Sequence, residues 1–259
     1  MSDARLPTEA ASGANEANAW LMYRSLVGIG LLCGLLIVGA YLFTKPIIER
    51  NRAEALQAAI FRVVPGAATS VSFEVVDGAV RPLAPGARAA ESIHAAYAAD
   101  GSLAGVALAG RGMGYQDTVV VLYGYAPDQD AVVGLEVLES RETPGLGDKA
   151  GSDPGYLANF AKLDVTLAPS GDALAHPIEV VKPGEKHKPW QIDTITGATI
   201  TSTAVGQIVG RGAARQVPLV QRQLATLRAA GKAAAPAAAA AAPAPQAPQA
   251  PQAPQGGAQ

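Results

Sequence analysis

Ten residues, Asp193-Thr194-Ile195-Thr196-Gly197-Ala198-Thr199-Ile200-Thr201-Ser202, bring together five hydroxyls, two small residues and one carboxylate. They lead into Ala204-Val205-Gly206-Gln207-Ile208-Val209, which reads as a helix. Gly197 and Ala198 let the backbone come close to a bulky group, and backbone N–H groups where a helix begins attract phosphate. A hydroxyl held at such a place can carry a phosphate group through an ester bond. The competing explanation is helix capping, which also collects Thr and Ser just ahead of a helix.

A second segment, Glu139-Ser140-Arg141-Glu142-Thr143-Pro144-Gly145-Leu146-Gly147-Asp148-Lys149, follows an expected strand. Pro144-Gly145 makes a tight turn and Gly147 permits an unusual backbone angle. Such a loop can lay its backbone against a flat aromatic ring and offer amides to ring heteroatoms; an ordinary strand-to-helix connection is the alternative. Other chemistries are excluded. The chain has no G-x-x-x-x-G-K-[ST] loop, no G-x-G-x-x-G after a strand and no G-x-S-x-G elbow. Gly110-Arg111-Gly112-Met113-Gly114 has the wrong spacing for a dinucleotide fingerprint. The single cysteine, Cys33, rules out a multi-cysteine metal site. His94, His176 and His187 lie far apart and read as surface or loop residues. The net charge of −2 gives no case for nucleic acid.

The elements that must position these segments follow from patterning. Residues 1–19 are polar and read as a disordered tail. Ser25 to Phe43 contains no charge, long enough to span a bilayer as a helix, with Trp20, Tyr23 and Tyr41 near its ends. An uncleaved anchor over 20–44 is favoured over a signal peptide, because Leu42-Phe43-Thr44-Lys45-Pro46 is a poor cleavage site. Arg24 precedes the span and Lys45, Arg50 and Arg52 follow it, so a local count of basic residues leans toward a cytoplasmic C-terminal part. Residues 45–65 read as a juxtamembrane helix that lifts the folded part off the membrane, with Pro46 at a kink or a first turn. Strands are expected over 71–76, 93–98, 103–109, 118–125 and 131–138, with turns at Asp77-Gly78, Asp100-Gly101 and Pro127-Asp128-Gln129-Asp130. A short helix is expected over 154–162. A final helix runs from Thr201 to about Arg228 with a break at Pro218. Short turns between consecutive strands favour an antiparallel sheet. The fold class is therefore α+β: a transmembrane helix, a mixed and mainly antiparallel domain over 66–230, and a disordered Ala/Pro/Gln-rich tail over 231–259.

Together the two segments resemble the FMN-binding domain shared by the G subunit of the Rnf electron-transport complex and the C subunit of the sodium-pumping NADH:quinone reductase. The attachment motif [ST]-G-A-T is matched by Thr196-Gly197-Ala198-Thr199, and the E-T-P-G-L-G loop by Glu142 through Gly147. Thr44-Lys45-Pro46-Ile47-Ile48-Glu49-Arg50-Asn51 and Val63-Val64-Pro65-Gly66 also look like the family, so the resemblance covers residues 20–215. Asp148-Lys149 and Pro189-Trp190-Gln191-Ile192-Asp193 are similar to the Rnf side.

The resemblance implies FMN esterified through its phosphate to Thr199, installed by a separate flavin transferase that uses FAD and a divalent metal. It implies a loop shaped by Thr196, Gly197 and Ala198, and a ring lined by Glu142, Thr143, Gly145, Leu146 and Gly147. Arg111, Tyr115 and Lys149 are secondary candidates, and Asp193 either helps the transferase or caps the local turn. The expected role is a membrane-anchored, electron-carrying subunit of an Rnf-type complex that couples ferredoxin/NAD electron transfer to ion translocation, with no complete active site of its own. Its partners are the other membrane, flavin, iron–sulfur and NADH-reacting subunits. The resemblance places the domain on the outer face of the inner membrane, against the basic-residue count. Two alternatives are the quinone-reductase C subunit and a flavin-free anchored assembly protein.

Overall fold

The computed structural model describes residues 10–84, 89 and 91–241. The expected tail residues 1–9 and 242–259 lie outside the described residues. The chain divides into two compact units, 1–54 and 55–259.

The first unit is helical throughout its described part. Helix α1 runs Ala10–Val63, with Pro46 inside it, so neither the expected tail boundary at 19 nor the boundary at 44 is marked by a break in the helix. From Trp20 onward it is long and apolar enough to cross a membrane, with a mean hydropathy of 2.5 over its most apolar window. Leu26, Ile29, Leu31, Leu35, Ile37 and Phe43 are exposed, as side chains that meet lipid rather than protein would be.

The second unit begins at Ala55, ahead of the expected boundary at 66. Its sheet contains β1 (Thr69–Val76), β2 (Ala79–Pro82), β3 (Ser92–Tyr97), β4 (Leu103–Met113), β5 (Thr118–Ala126), β6 (Ala131–Glu139) and β7 (Leu163–Asp164). The order is β2-β1-β3-β4-β5-β6-β7, every neighbour antiparallel. Short turns reverse β2 onto β1, β4 onto β3, β5 onto β4 and β6 onto β5, whereas β3 takes the other edge of β1 and β7 returns to β6 after the segment 140–162. A separate parallel pair, β8 (Glu179–Val181) and β9 (Gln191–Asp193), lies just ahead of the attachment motif. The expected helix over 154–162 is a single turn, α2 (Pro154–Leu157), continued by a 3₁₀ turn at Ala158–Phe160. Helix α3 runs Thr199–Arg222 without a break at Pro218, and α4 runs Leu224–Ala241. Helix α4 continues past the expected boundary at 231 through an alanine-rich stretch that also holds Gly231 and Pro236.

The sheet alternates, and each of its faces has its own core. On one face Ile93, Ala95, Tyr97, Val106, Leu108, Val121 and Tyr123 pack against Val205, Ile208, Val209, Ala213 and Val217 of α3 and Leu227 of α4. Each large aliphatic side chain buried there contributes about 1.5–3 kcal/mol. On the other face Ala96, Ala107 and Leu122 meet Ala59, Ile60, Val63 and Val64. That face works by close approach. A Cβ at Gly124 would run into the Val63 carbonyl, and one at Gly134 would stand 2.8 Å from the same oxygen. His94 belongs to this face. It is buried, not a surface residue as its sequence context implies, and its Nδ1 shares a hydrogen bond of 2.8 Å with Ser72 Oγ. Burial holds its pKa below the ordinary value.

Candidate functional site

Six hydroxyls lie between Thr194 and Thr203, and the structure sorts them. Thr194 is buried and donates to Val181 O at 3.0 Å. Thr201 is 3% exposed and Ser202 is fully buried. Thr203 is half-buried, while Thr196 and Thr199 are exposed. Thr199 is the first residue of α3, after Ala198 at the N-cap, and its Oγ1 donates to Ile195 O at 3.2 Å. Helix geometry leaves the N–H groups of Thr199, Ile200 and Thr201 without intrahelical acceptors. An exposed hydroxyl therefore stands beside a row of N–H donors at the positive end of a helix dipole. That is a setting in which a phosphate diester is well held.

The loop ahead of Thr199 is closed by its own atoms. Gly197 has φ +82°, a conformation that other residues adopt only with strain. Ser202 Oγ accepts from Ile195 N–H at 3.1 Å and donates to Ala198 O at 2.9 Å. Tyr156 donates its hydroxyl to Ser202 O at 2.7 Å. Asp193 Oδ1 accepts from Lys186 N–H at 3.0 Å, so the carboxylate caps the preceding turn, one of the two roles open to it from sequence. Asn159 Oδ1 accepts from Asp193 N–H at 3.2 Å and from the Lys186 ammonium at 3.0 Å, which fixes that turn further.

The second segment forms a β-turn over Thr143–Leu146, closed by Leu146 N–H to Thr143 O at 3.1 Å, with Pro144 and Gly145 at its centre. Gly145 has φ +80°, as a type II turn requires at that place. Thr143 and Leu146 are exposed, and Thr143 Oγ1 donates to Gln116 Oε1 at 3.1 Å. Glu142 differs from its expected role at the ring, because its side chain turns inward and is 7% exposed. Its Oε2 accepts from Thr201 Oγ1 at 2.7 Å, and its Oε1 accepts from the N–H groups of Gln116 (3.0 Å) and Asp117 (3.4 Å). Burial by itself would raise this carboxyl's pKa; the bonds from Thr201 and from the backbone of Gln116, Asp117 and Tyr115 outweigh it and hold the pKa below the ordinary value.

Three segments thus meet at one corner: the β4–β5 turn over 114–117, the turn over 142–147, and the first turn of α3. Beyond α1, the exposed large apolar side chains among the described residues are Val76, Met113, Tyr115, Leu146 and Ile200. All but Val76 stand on or beside those three segments. Their exposure is informative, because a solvent-facing cluster of this kind marks a surface that binds something. Met113, Tyr115 and Ile200 are the members that sequence patterning ranks low or misses. Arg111 is exposed on β4 and Lys149 is half-buried in the 3₁₀ turn Gly147–Gly151. Among the described residues no three His, Cys, Asp or Glu side chains group as metal ligands.

Comparison with known proteins defines the class first. Residues 114–214 match the FMN-binding domain family, a span that contains all three segments of the corner. Two solved structures share the fold. NqrC of Shewanella oneidensis aligns with a TM-score of 0.53 at 18% identity, covering 70% of this chain and 99% of that one. The C subunit of the Na(+)-translocating NADH-quinone reductase from Parabacteroides distasonis aligns with a TM-score of 0.54 at 19% identity, covering 69% and 96%. Relatives in sequence are more specific. The G subunit of the ion-translocating oxidoreductase complex of Pasteurella multocida is 32% identical over 181 residues, 68% of this chain and 83% of that protein. Its counterpart in Cereibacter sphaeroides is also 32% identical, over 193 residues, 71% and 80% of the two chains. The chain belongs to the family formed by the G subunits of ion-translocating oxidoreductase complexes.

Proposed function

We propose that this protein is a membrane-anchored electron carrier that holds FMN as a phosphodiester on Thr199. It works as the G subunit of an Rnf-type complex coupling ferredoxin/NAD electron transfer to ion translocation. The observation that carries the reading is the sorting of hydroxyls: in a run of six, only Thr196 and Thr199 are exposed, and Thr199 alone begins a 24-residue helix. Family membership and the FMN-binding domain match support the flavin. The corner fits the group: donors for a phosphate lie at one side, and exposed Tyr115, Leu146, Met113 and Ile200 offer an apolar rim to a flat ring. FMN supplies the one- and two-electron chemistry when bound.

The chain's own residues position and protect. Thr199 Oγ forms the new bond to the FMN-side phosphorus of FAD on a separate flavin transferase; the pyrophosphate bond breaks, AMP leaves and the hydroxyl proton goes to solvent. Thr196, Gly197 and Ala198 shape that loop. Thr143, Gly145, Leu146 and Gly147 border the ring, and Glu142 acts from behind them. The domain lies on the outer side of the cytoplasmic membrane, where such a transferase works, and it docks with the other subunits of the complex. The likeness to the quinone-reductase C subunit is one of fold, at 18–19% identity, and the relatives in sequence favour the oxidoreductase G subunit over it.

The test is direct. The full chain is produced with a flavin transferase, denatured, and run on a gel under ultraviolet light. A fluorescent band is expected in the parent and in Thr201→Val, and none in Thr199→Val. Fluorescence that survives Thr199→Val moves the attachment elsewhere. A dark parent beside a working control leaves the flavin-free assembly protein as the reading.

A further inference from the structure

Glu142 is buried at the point where three segments remote in sequence converge. Its carboxylate receives N–H donors from the β4–β5 turn, 25 and 26 residues away, and a hydroxyl from α3, 59 residues away. The seat is cut to this side chain. A Cβ at Gly114 would lie 2.5 Å from Glu142 Oε1, and a Cβ at Gly147 would lie 2.5 Å from Oε2 and 2.8 Å from Thr201 Oγ1. An ionised carboxylate suits such a seat because it only accepts, and each of these partners donates to it. The same three segments carry the exposed side chains of Tyr115, Leu146 and Ile200. The hydrogen-bonded link from the β4–β5 turn to the first turn of α3 runs through this carboxylate.

We propose that Glu142 is a positioning residue for the flavin: its buried carboxylate locks the β4–β5 turn, the Pro144-Gly145 turn and the first turn of α3 into one frame, and the orientation of the ring depends on that lock. The proposal rests on the flavin reading above, and deepens it. Thr199 fixes the phosphate end of the cofactor, whereas the ring end is free to rotate about the ribityl chain unless the walls around it are fixed relative to one another. Glu142 fixes those walls without touching the ring.

The experiment compares Glu142→Ala and Glu142→Gln with the parent, as full chains matured by a flavin transferase. Glu142→Ala is expected to keep the fluorescent band, since Thr199 is untouched, but to lose visible circular dichroism of the bound flavin, which reads the asymmetry of the ring's surroundings. Amide exchange over 114–118 should become roughly tenfold faster, because a local opening now costs less. Glu142→Gln keeps an acceptor for Gln116 and Asp117 and should restore both signals. Parental dichroism and parental exchange in Glu142→Ala would overturn the proposal. If Glu142→Ala does not fold, Thr201→Val cuts one arm of the lock and carries the same two readings. Amide exchange needs no flavin, so a dark parent sinks the flavin reading while the exchange arm still decides whether the lock exists.

Discussion

The two faces of the seven-stranded sheet are held in opposite ways. On the face that meets the end of α1, glycines admit a backbone: Val63 lies against Gly124 and Gly134, and the polar contacts are the His94–Ser72 pair and the Arg62–Glu136 ion pair of 2.9 Å. At the corner beside α3, the tie is a buried carboxylate with three donors, surrounded by exposed apolar side chains. The first arrangement is close packing that leaves no room for a ligand. The second is satisfied internally yet open externally, which is what a site requires. Stability and function are therefore separable in this domain, and mutations on the two sides should have different signatures.

The sharpest separation is expected from Thr199→Val. It should abolish flavin attachment altogether, while thermal unfolding of the unmodified chain stays within about 0.5 kcal/mol of the parent, because the residue is exposed and makes one weak local bond. Gly124→Ala is the mirror image. The added methyl meets a main-chain carbonyl that has nowhere to go, so a loss of about 3 kcal/mol or more is expected by denaturant titration. The fraction that folds should still take flavin on Thr199. If Gly124→Ala unfolds at the parental denaturant concentration, the close-packed description of that face is wrong.

Thr201→Val falls between these two. It removes one donor from a buried carboxylate and should cost about 1–3 kcal/mol, with attachment intact. Acid should separate the faces by pH. His94 takes a proton less readily folded than unfolded, so its contribution is complete above the ordinary value of 6.5 and fades as pH falls below it. Glu142 also has a depressed folded pKa; its contribution is complete above the ordinary value of 4.5 and fades only as pH falls below that. Urea titrations from pH 7 to pH 5 should thus weaken the parent but weaken His94→Gln less. Glu142→Gln should be less stable than the parent across that whole range, and the gap should close only as pH falls below 4.5. The smallest effect belongs to a surface pair away from both: Arg228→Ala, which removes an ion pair of 2.7 Å between two exposed side chains, should change stability by less than about 1 kcal/mol.

The larger elements are legible in the sequence because their signals are local. The uncharged run between Arg24 and Lys45 marks an anchor, and alternation with short turns marks the β1, β3, β4, β5 and β6 strands to within a few residues. Strands β2, β7, β8 and β9 have two to four residues each, too short to show a period. Pro218 reads as a helix end, yet α3 continues through it, because Val217, Pro218 and Val220 are buried on the packed side and tertiary contact outweighs the missing donor. The boundary expected at 66 shifts for the same kind of reason: Ala59, Ile60 and Val63 are core residues of the domain although they sit on helix α1. At the site, the two motifs can be read directly, and the structure leaves Thr199 exposed at the start of α3. The inward turn of Glu142 cannot, since every partner of its carboxylate lies at least 25 residues away. Nor can Met113 and Ile200, which stand out through exposure, a property no single-chain pattern records, while Tyr115 is legible only as a secondary candidate.

Ser202 has a further consequence. With its side chain stitched to Ile195 and Ala198 on either side of Gly197, the acceptor loop has a settled shape before any cofactor arrives. A modifying enzyme therefore meets a finished surface and does not have to mould a floppy peptide. On the proposed attachment, esterification would follow folding in time, and a chain that folds poorly would stay colourless even with its threonine intact.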